Sequence, residues 1–73
     1  MFVLHYKSVK GAHIMRTVEA KDSIVTDALQ RLMRRKIDAD LKTEKGKRIG
    51  SVYYDATKQR WHWYYDPVYT VRG

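Results

Sequence analysis

Alternating apolar and polar positions at the start of the chain predict a β-hairpin. Residues 2–6 and 13–20 are rich in β-branched, aromatic and apolar side chains, which favour strands. Gly11 lies between them, where a reversing chain needs a conformationally permissive residue. The second strand is less regular than the first, because Arg16 shares a face with apolar residues. We expect two antiparallel strands here.

The period changes at Lys21 and predicts an amphipathic helix. Asp22 and Ser23 are suitable N-cap residues. Beyond them, apolar residues recur at helical spacing: Ile24, Val25, Ala28, Leu29, Leu32, Met33, Ile37 and Leu41. Gly46 is a suitable stop, so the helix is predicted from about residue 23 to about residue 44. Residues 38–40 include two aspartates, which are weak helix formers, and a break near Ile37 is the alternative.

A period of two returns after the basic stretch at residues 45–48 and predicts a second hairpin. Residues 49–54 and 60–65 are strand-like, with a turn-like segment between them. If cross-strand partners share a face, the pairs are Tyr54 with Trp61, Val52 with Trp63 and Gly50 with Tyr65. The opposite face then carries Ser51, Tyr53, Arg60, His62 and Tyr64. Pro67 ends the last strand or forces a bulge, leaving residues 68–71 as a short edge strand or a tail.

These elements predict a single small α+β domain over residues 1–73. In the order β-β-α-β-β, one apolar helix stripe is best buried against one face of a four-stranded antiparallel sheet, a two-layer arrangement. The inner face is expected to carry Phe2, Leu4, Ile14, Val52, Tyr54, Trp61 and Trp63. No second layer covers the other face, which must be polar or meet a partner.

Length and composition exclude several classes of protein. A chain of 73 residues is too short for a deep enclosed active site. The absence of cysteine removes disulfides, thiolate zinc sites and cysteine nucleophiles. No segment approaches the roughly 20 apolar residues that span a bilayer. The apolar run at the start of the chain is too short for the hydrophobic region of a signal peptide. We expect a cytoplasmic protein with no membrane partner.

The residues that could carry catalysis lack the spacing that catalysis needs. His5, His13 and His62 have no metal-ligand pattern, and the serines have no nucleophile-elbow context. The aspartates are explained by helix capping and turns. We therefore expect no enzyme activity, no catalytic residue, no metal, no cofactor and no small-molecule substrate.

Charge is the strongest compositional signal. The chain has 15 Lys and Arg against 8 Asp and Glu, a formal net charge of +7. No acidic residue lies between residues 28 and 37, and this segment contains a first cluster of cations: Arg31, Arg34, Arg35 and Lys36. The second cluster comprises Lys42, Lys45, Lys47 and Arg48, and Glu44 is the one acidic residue among them. Patches of one sign attract polyanions. The alternative is a solvated helix surface followed by a solubilising connector.

The aromatic residues concentrate in the second hairpin, where the sequence suggests two uses for them. Tyr54, Trp61 and Trp63 are expected in the core. On the other face, an aromatic and cationic surface on which unstacked bases can stack is formed by Tyr53, Arg60, His62 and Tyr64. A homodimer interface is the alternative, since tyrosine and arginine are also enriched at interfaces.

Together these features predict a small, basic, non-enzymatic nucleic-acid-binding or nucleic-acid-associated regulatory protein, with DNA and RNA both open. Stacking and groove contacts would come from the outer-face cluster just described. Phosphate contacts would come from Arg31, Arg34, Arg35, Lys36, Lys45, Lys47 and Arg48. The alternative is a protein-protein interaction module, a small regulator or inhibitor of a larger complex that uses the aromatic face, also as a homodimer.

Overall fold

Five antiparallel strands and one helix form two layers in a computed structural model, which describes residues 1–70. The helix α1 (Asp22–Arg34) packs on one face of the sheet. The strands are β1 (Phe2–Lys7), β2 (His13–Val18), β3 (Ala39–Thr43), β4 (Arg48–Asp55) and β5 (Arg60–Tyr65), in the spatial order β2-β1-β3-β4-β5. The two-layer α+β class is confirmed, but the sheet has five strands where four were predicted.

The additional strand, β3, occupies part of the segment predicted as the second half of the helix. The helix instead ends at Arg34, because Lys36 adopts a left-handed conformation with φ 57°. The Ile37 amide donates to the Leu32 carbonyl at 3.0 Å, and the Lys36 amide donates to the Met33 carbonyl at 3.0 Å. These two bonds form a Schellman motif, which satisfies carbonyls of the last helical turn. The prediction of a helix to residue 44 is wrong, and the alternative break near Ile37 is observed.

The start of α1 also differs from the prediction. Lys21 occupies the N-cap position and makes no side-chain capping hydrogen bond. Asp22 and Ser23, the predicted caps, lie in the first turn instead. The Thr26 hydroxyl donates to the Asp22 carbonyl at 2.9 Å. The Asp22 carboxylate still lies near the positive end of the helix dipole, so its negative charge stabilises the helix from a position one residue later than predicted.

The register of both hairpins follows the alternation of side chains. In the first, Gly11 adopts φ 82° in the turn. In the second, Gly50 pairs with Tyr65, Val52 with Trp63 and Tyr54 with Trp61, which confirms the predicted register. Pro67 opens a short 3-10 turn at Pro67–Tyr69, so the predicted edge strand does not form there. The end of that predicted segment, residue 71, lies outside the described residues.

The core lies between α1 and the inner face of the sheet. Its buried residues are Phe2, Leu4, Val18, Val25, Leu29, Leu32, Ile37, Ala39, Leu41, Ile49 and Val52. Trp61 and Trp63 are half-buried against this core, whereas Tyr54, also predicted there, is 50% exposed. Tyr54 lies two residues past Val52, where the register of β4 against β3 ends, so the hairpin projects beyond the covered sheet.

Lys36 provides a direct test of how the helix ends. Replacing Lys36 by glycine should raise the free energy of unfolding by about 0.5–1 kcal/mol, because glycine adopts positive φ without a Cβ clash. Lys45→Gly is the matched control, since Lys45 does not have a positive φ, and it should give no gain. Urea denaturation measures both variants. A lower unfolding midpoint for Lys36→Gly would contradict the described helix end.

Candidate nucleic-acid interface

Three rings meet on the outer face of the sheet, which is the face away from α1. Tyr53 lies directly opposite His62 in the β4–β5 ladder, and their ring centroids are 5.9 Å apart. The Tyr53 and Tyr64 centroids are 6.2 Å apart, and both pairs have an edge-to-face geometry. Tyr53 and His62 are half-buried, whereas Tyr64 is 46% exposed. The structure thus brings together the three rings that the hairpin pattern placed on one face.

Arg60 lies next to these rings at the start of β5. It is exposed and pairs in register with Asp55. The Asp55 carboxylate accepts hydrogen bonds from the backbone amides of Thr57 and Lys58, at 3.0 and 3.3 Å. These two bonds close the hairpin turn. Within residues 1–70, Arg60 forms no ion pair. Its guanidinium is therefore open to an anionic ligand.

Strand β3 lies between the two predicted hairpins and extends the outer face towards β1. His5 pairs in register with Asp40, which pairs in turn with Ser51. His5 also meets His13, with ring centroids 6.0 Å apart. Lys7 follows on the same face of β1. The sequence alternation already placed His5 and Lys7 opposite the core, but without β3 nothing related them to Tyr53.

A cavity of about 690 Å³ opens at one end of this extended face. Its lining includes Lys7, His13 and Tyr53 from the strands. Arg35 and Lys36, which follow the helix, line it as well. Asp38 and Asp40 contribute carboxylates, so the lining holds three cationic side chains and two acids besides the histidines. Part of the helix cation cluster therefore reaches the edge of the outer face.

The rest of that cluster faces elsewhere. Arg31 and Arg34 line a groove on the inner side of the sheet, between α1 and β2. The Arg31 Nε lies 3.0 Å from the Asp27 Oδ2, and the two residues of this ion pair are one helical turn apart. The predicted phosphate-binding residues thus do not form one continuous surface. A helix that continued to residue 44 would have carried all four cations of the cluster on one element. Arg35 and Lys36 instead lie beyond the helix, because it ends at Arg34.

The second cation cluster lies at the opposite end of the sheet. Lys45 and Lys47 fall between β3 and β4, and Arg48 begins β4. Along β3 the cavity lining ends at Asp40, near the start of the strand, whereas Lys45 and Lys47 follow Thr43 at its other end, about 10 Å further along. Both clusters therefore add to the positive potential of the protein, but of their side chains only Arg35 and Lys36 line the cavity beside Tyr53.

Three cations at this end are predicted to contact phosphate, namely Lys45, Lys47 and Arg48, and two of them already have partners within the protein. The Lys47 Nζ donates to the Tyr69 hydroxyl at 2.6 Å, and this hydrogen bond raises the pKa of Lys47. The Arg48 Nη1 lies 3.9 Å from the Asp40 Oδ1. Lys45 makes no ion pair or side-chain hydrogen bond in the part of the chain that the structure describes. Lys45 therefore suits a control substitution away from the rings.

The acid beside these cations is occupied too. The Glu44 carboxylate accepts a hydrogen bond from the amino group of Met1 at 2.8 Å. This contact lowers the pKa of Glu44, first through the hydrogen bond and then through the positive charge of the amine. Glu44 is thus directed to the N-terminal amino group and not to the neighbouring lysines.

Other kinds of site were also sought among residues 1–70. No group of three or more His, Asp or Glu side chains there could hold a metal ion. The one helix in the same residues is too short and too polar to cross a membrane.

Comparison with known proteins adds nothing to this geometry. No family model, curated protein or solved structure matches the chain. The side chains that the fold brings together are therefore the basis for the function.

Proposed function

We propose that this protein binds single-stranded nucleic acid on the outer face of its sheet and has no catalytic role. Bases would stack on Tyr53, Tyr64 and His62, and the flanking cations would hold phosphates. The observation that carries this proposal is the edge-to-face cluster of rings on an open sheet face, next to Arg60, which forms no ion pair with any residue from 1 to 70. Aromatic platforms beside basic side chains are the usual means of binding single strands without reading their sequence.

A single strand suits this surface better than a duplex does. The rings lie on β4 and the edge strand β5, where an unstacked base can approach from solvent. In a duplex the faces of the bases are covered by their neighbours, so flat rings on a sheet have nothing to stack on. A strand running from Tyr64 past Tyr53 towards β1 would cross three strand spacings, about 14 Å.

Phosphate contacts along this path come from cations on both sides of the ring cluster. Arg60 lies beside the rings, and the cavity beyond Tyr53 is lined by Lys7, Arg35 and Lys36. Four such contacts would give a slope of about −3 for the logarithm of the binding constant against the logarithm of salt concentration. Lys45 and its neighbours would act at longer range, through the net charge of +7.

A salt titration with fluorescently labelled oligonucleotides tests the proposal. A single strand of about 12 nucleotides should bind at about 50 mM salt, and at least about tenfold more tightly than a duplex of equal length. Lys36→Ala should make the salt slope shallower by about 0.7, whereas the control Lys45→Ala should leave it unchanged. No binding at low salt, or equal binding of the duplex, would contradict the proposal.

A further inference from the structure

The inner face of the sheet keeps a groove that the single helix does not fill. The outermost strands of a five-stranded sheet are about 19 Å apart, whereas a helix with its side chains is about 10–12 Å wide. Helix α1 packs mainly across β4 and β5, on one side of this face. A groove of about 710 Å³ remains between α1 and β2. The sheet is therefore wide enough for a second helix beside the first.

The floor of this groove is apolar. Leu4 of β1 and Leu32 of α1 line it and belong to the core. Tyr6 and Ala28 lie beside them and are half-buried. Ile24, on the helix wall, is 37% exposed. Leu4 and Leu32 are already buried by the core, so the apolar surface open to a partner is formed by Tyr6, Ala28 and Ile24.

The walls of the groove carry arginines. Arg16 is the cross-strand partner of Leu4, so it shares the inner face with the core, yet it is exposed because α1 does not reach β2 there. Arg34 and Arg35 line the opposite wall. None of these three arginines forms an ion pair within residues 1–70. The position of Arg16 at this open groove explains why the alternation of β2 is imperfect.

Acids do not neutralise these walls. Asp27 is bound to Arg31 at 3.0 Å, and the Glu19 carboxylate lies 3.7 Å from the Lys21 Nζ. The groove thus combines an apolar floor with an excess of positive charge on both sides. The complementary surface is an apolar stripe flanked by carboxylates.

We propose that this groove binds an acidic amphipathic helix of a protein partner, laid on the sheet beside α1. Such a helix would place its apolar stripe on Tyr6, Ala28 and Ile24, with carboxylates towards Arg16 on one side and Arg34 on the other. A second copy of this chain does not fit, because its helix α1 carries the same cationic side chains and would be repelled. Nucleic acid fits less well, because the stacking rings lie on the other face of the sheet.

This interaction is independent of the proposed nucleic-acid binding. The two surfaces lie on opposite faces of the sheet, and of the residues named for phosphate contacts on the outer face only Arg35 also lines the groove. Failure of one proposal therefore leaves the other standing.

The experiment uses a synthetic helical peptide with a leucine stripe flanked by glutamates. Its reference is a peptide of the same composition, rearranged so that the leucines do not share a face. The stripe peptide should bind at least about tenfold more tightly by calorimetry, because only it presents the leucines and the carboxylates together. Amide chemical shifts should change at Tyr6, Ala28 and Leu32. Equal binding of both peptides, or shifts confined to the outer face, would overturn the proposal.

Charge-reversal variants locate the site. Arg16→Glu with Arg34→Glu should weaken binding of the stripe peptide by about tenfold or more, with circular dichroism confirming the fold. Lys45→Glu with Lys58→Glu is the matched control, since it changes the net charge equally at exposed positions outside the groove, and it should change binding by less than about twofold. Equal losses in both pairs would overturn the proposal. So would displacement of the peptide by a single-stranded oligonucleotide.

Discussion

Replacing Tyr53 and Tyr64 together by alanine should weaken the binding of a single-stranded oligonucleotide by at least about 30-fold. Stacking of a base on an aromatic side chain contributes about 1–3 kcal/mol, so losing two platforms costs about 2 kcal/mol or more. Both side chains lie on the outer face and outside the buried core, so the variant should remain folded. Fluorescence anisotropy at constant low salt measures the change.

The salt dependence separates stacking from charge in this experiment. The double variant keeps Arg60 and the cations of the cavity, so the slope of the binding constant against salt should stay the same. The matched control is Tyr54→Ala with Tyr69→Ala, which removes two exposed tyrosines that lie away from the ring cluster. This control should weaken binding by less than about twofold. Equal losses in the two pairs would contradict a specific aromatic platform.

The same double variant also distinguishes the homodimer alternative. If the rings of the outer face instead pair two copies of the chain, the wild-type protein should be dimeric in light scattering and the double variant should be monomeric. If the face binds nucleic acid, the mass should be the same for both proteins. The two interpretations thus differ in a measurement that does not require an oligonucleotide.

The second hairpin was predictable because its information is local. Trp61, Trp63 and Tyr65 alternate with more polar residues, and the intervening turn has few possible lengths, so the register follows. The ring cluster depends on that register alone. The alternation of side chains alone therefore predicts that Tyr53, His62 and Tyr64 share one face.

Strand β3 could not be predicted in the same way, because its spacing is ambiguous. Ile37 and Leu41 are four residues apart, which is about one helical turn and also two strand repeats. The helix stop falls on Lys36, whose φ of 57° is a conformation that sequence patterns assign to glycine or asparagine. The cavity beside Tyr53 and the division of the cations between the two ends of the sheet both depend on β3, so neither follows from the sequence pattern.

Gly50→Ala should lower the free energy of unfolding by about 2–3 kcal/mol, a large part of the stability of a small domain. Gly50 is buried opposite Tyr65. A Cβ atom there would lie 2.7 Å from the Tyr64 carbonyl oxygen and 2.7 Å from the Tyr65 Cβ. These atoms belong to the strand backbone or are attached to it, so they cannot rotate away. The two strands would have to separate locally.

Gly46→Ala is the matched control in urea denaturation. Gly46 has φ 90°, but no atom lies within 4 Å of a Cβ built there, so alanine should cost only about 1 kcal/mol of conformational strain. The two variants also differ in function, because separating Gly50 from Tyr65 displaces the neighbouring Tyr64. Gly50→Ala should therefore weaken oligonucleotide binding even where the protein is folded, whereas Gly46→Ala should not. Equal costs for the two glycines would contradict the described contact of β4 with β5.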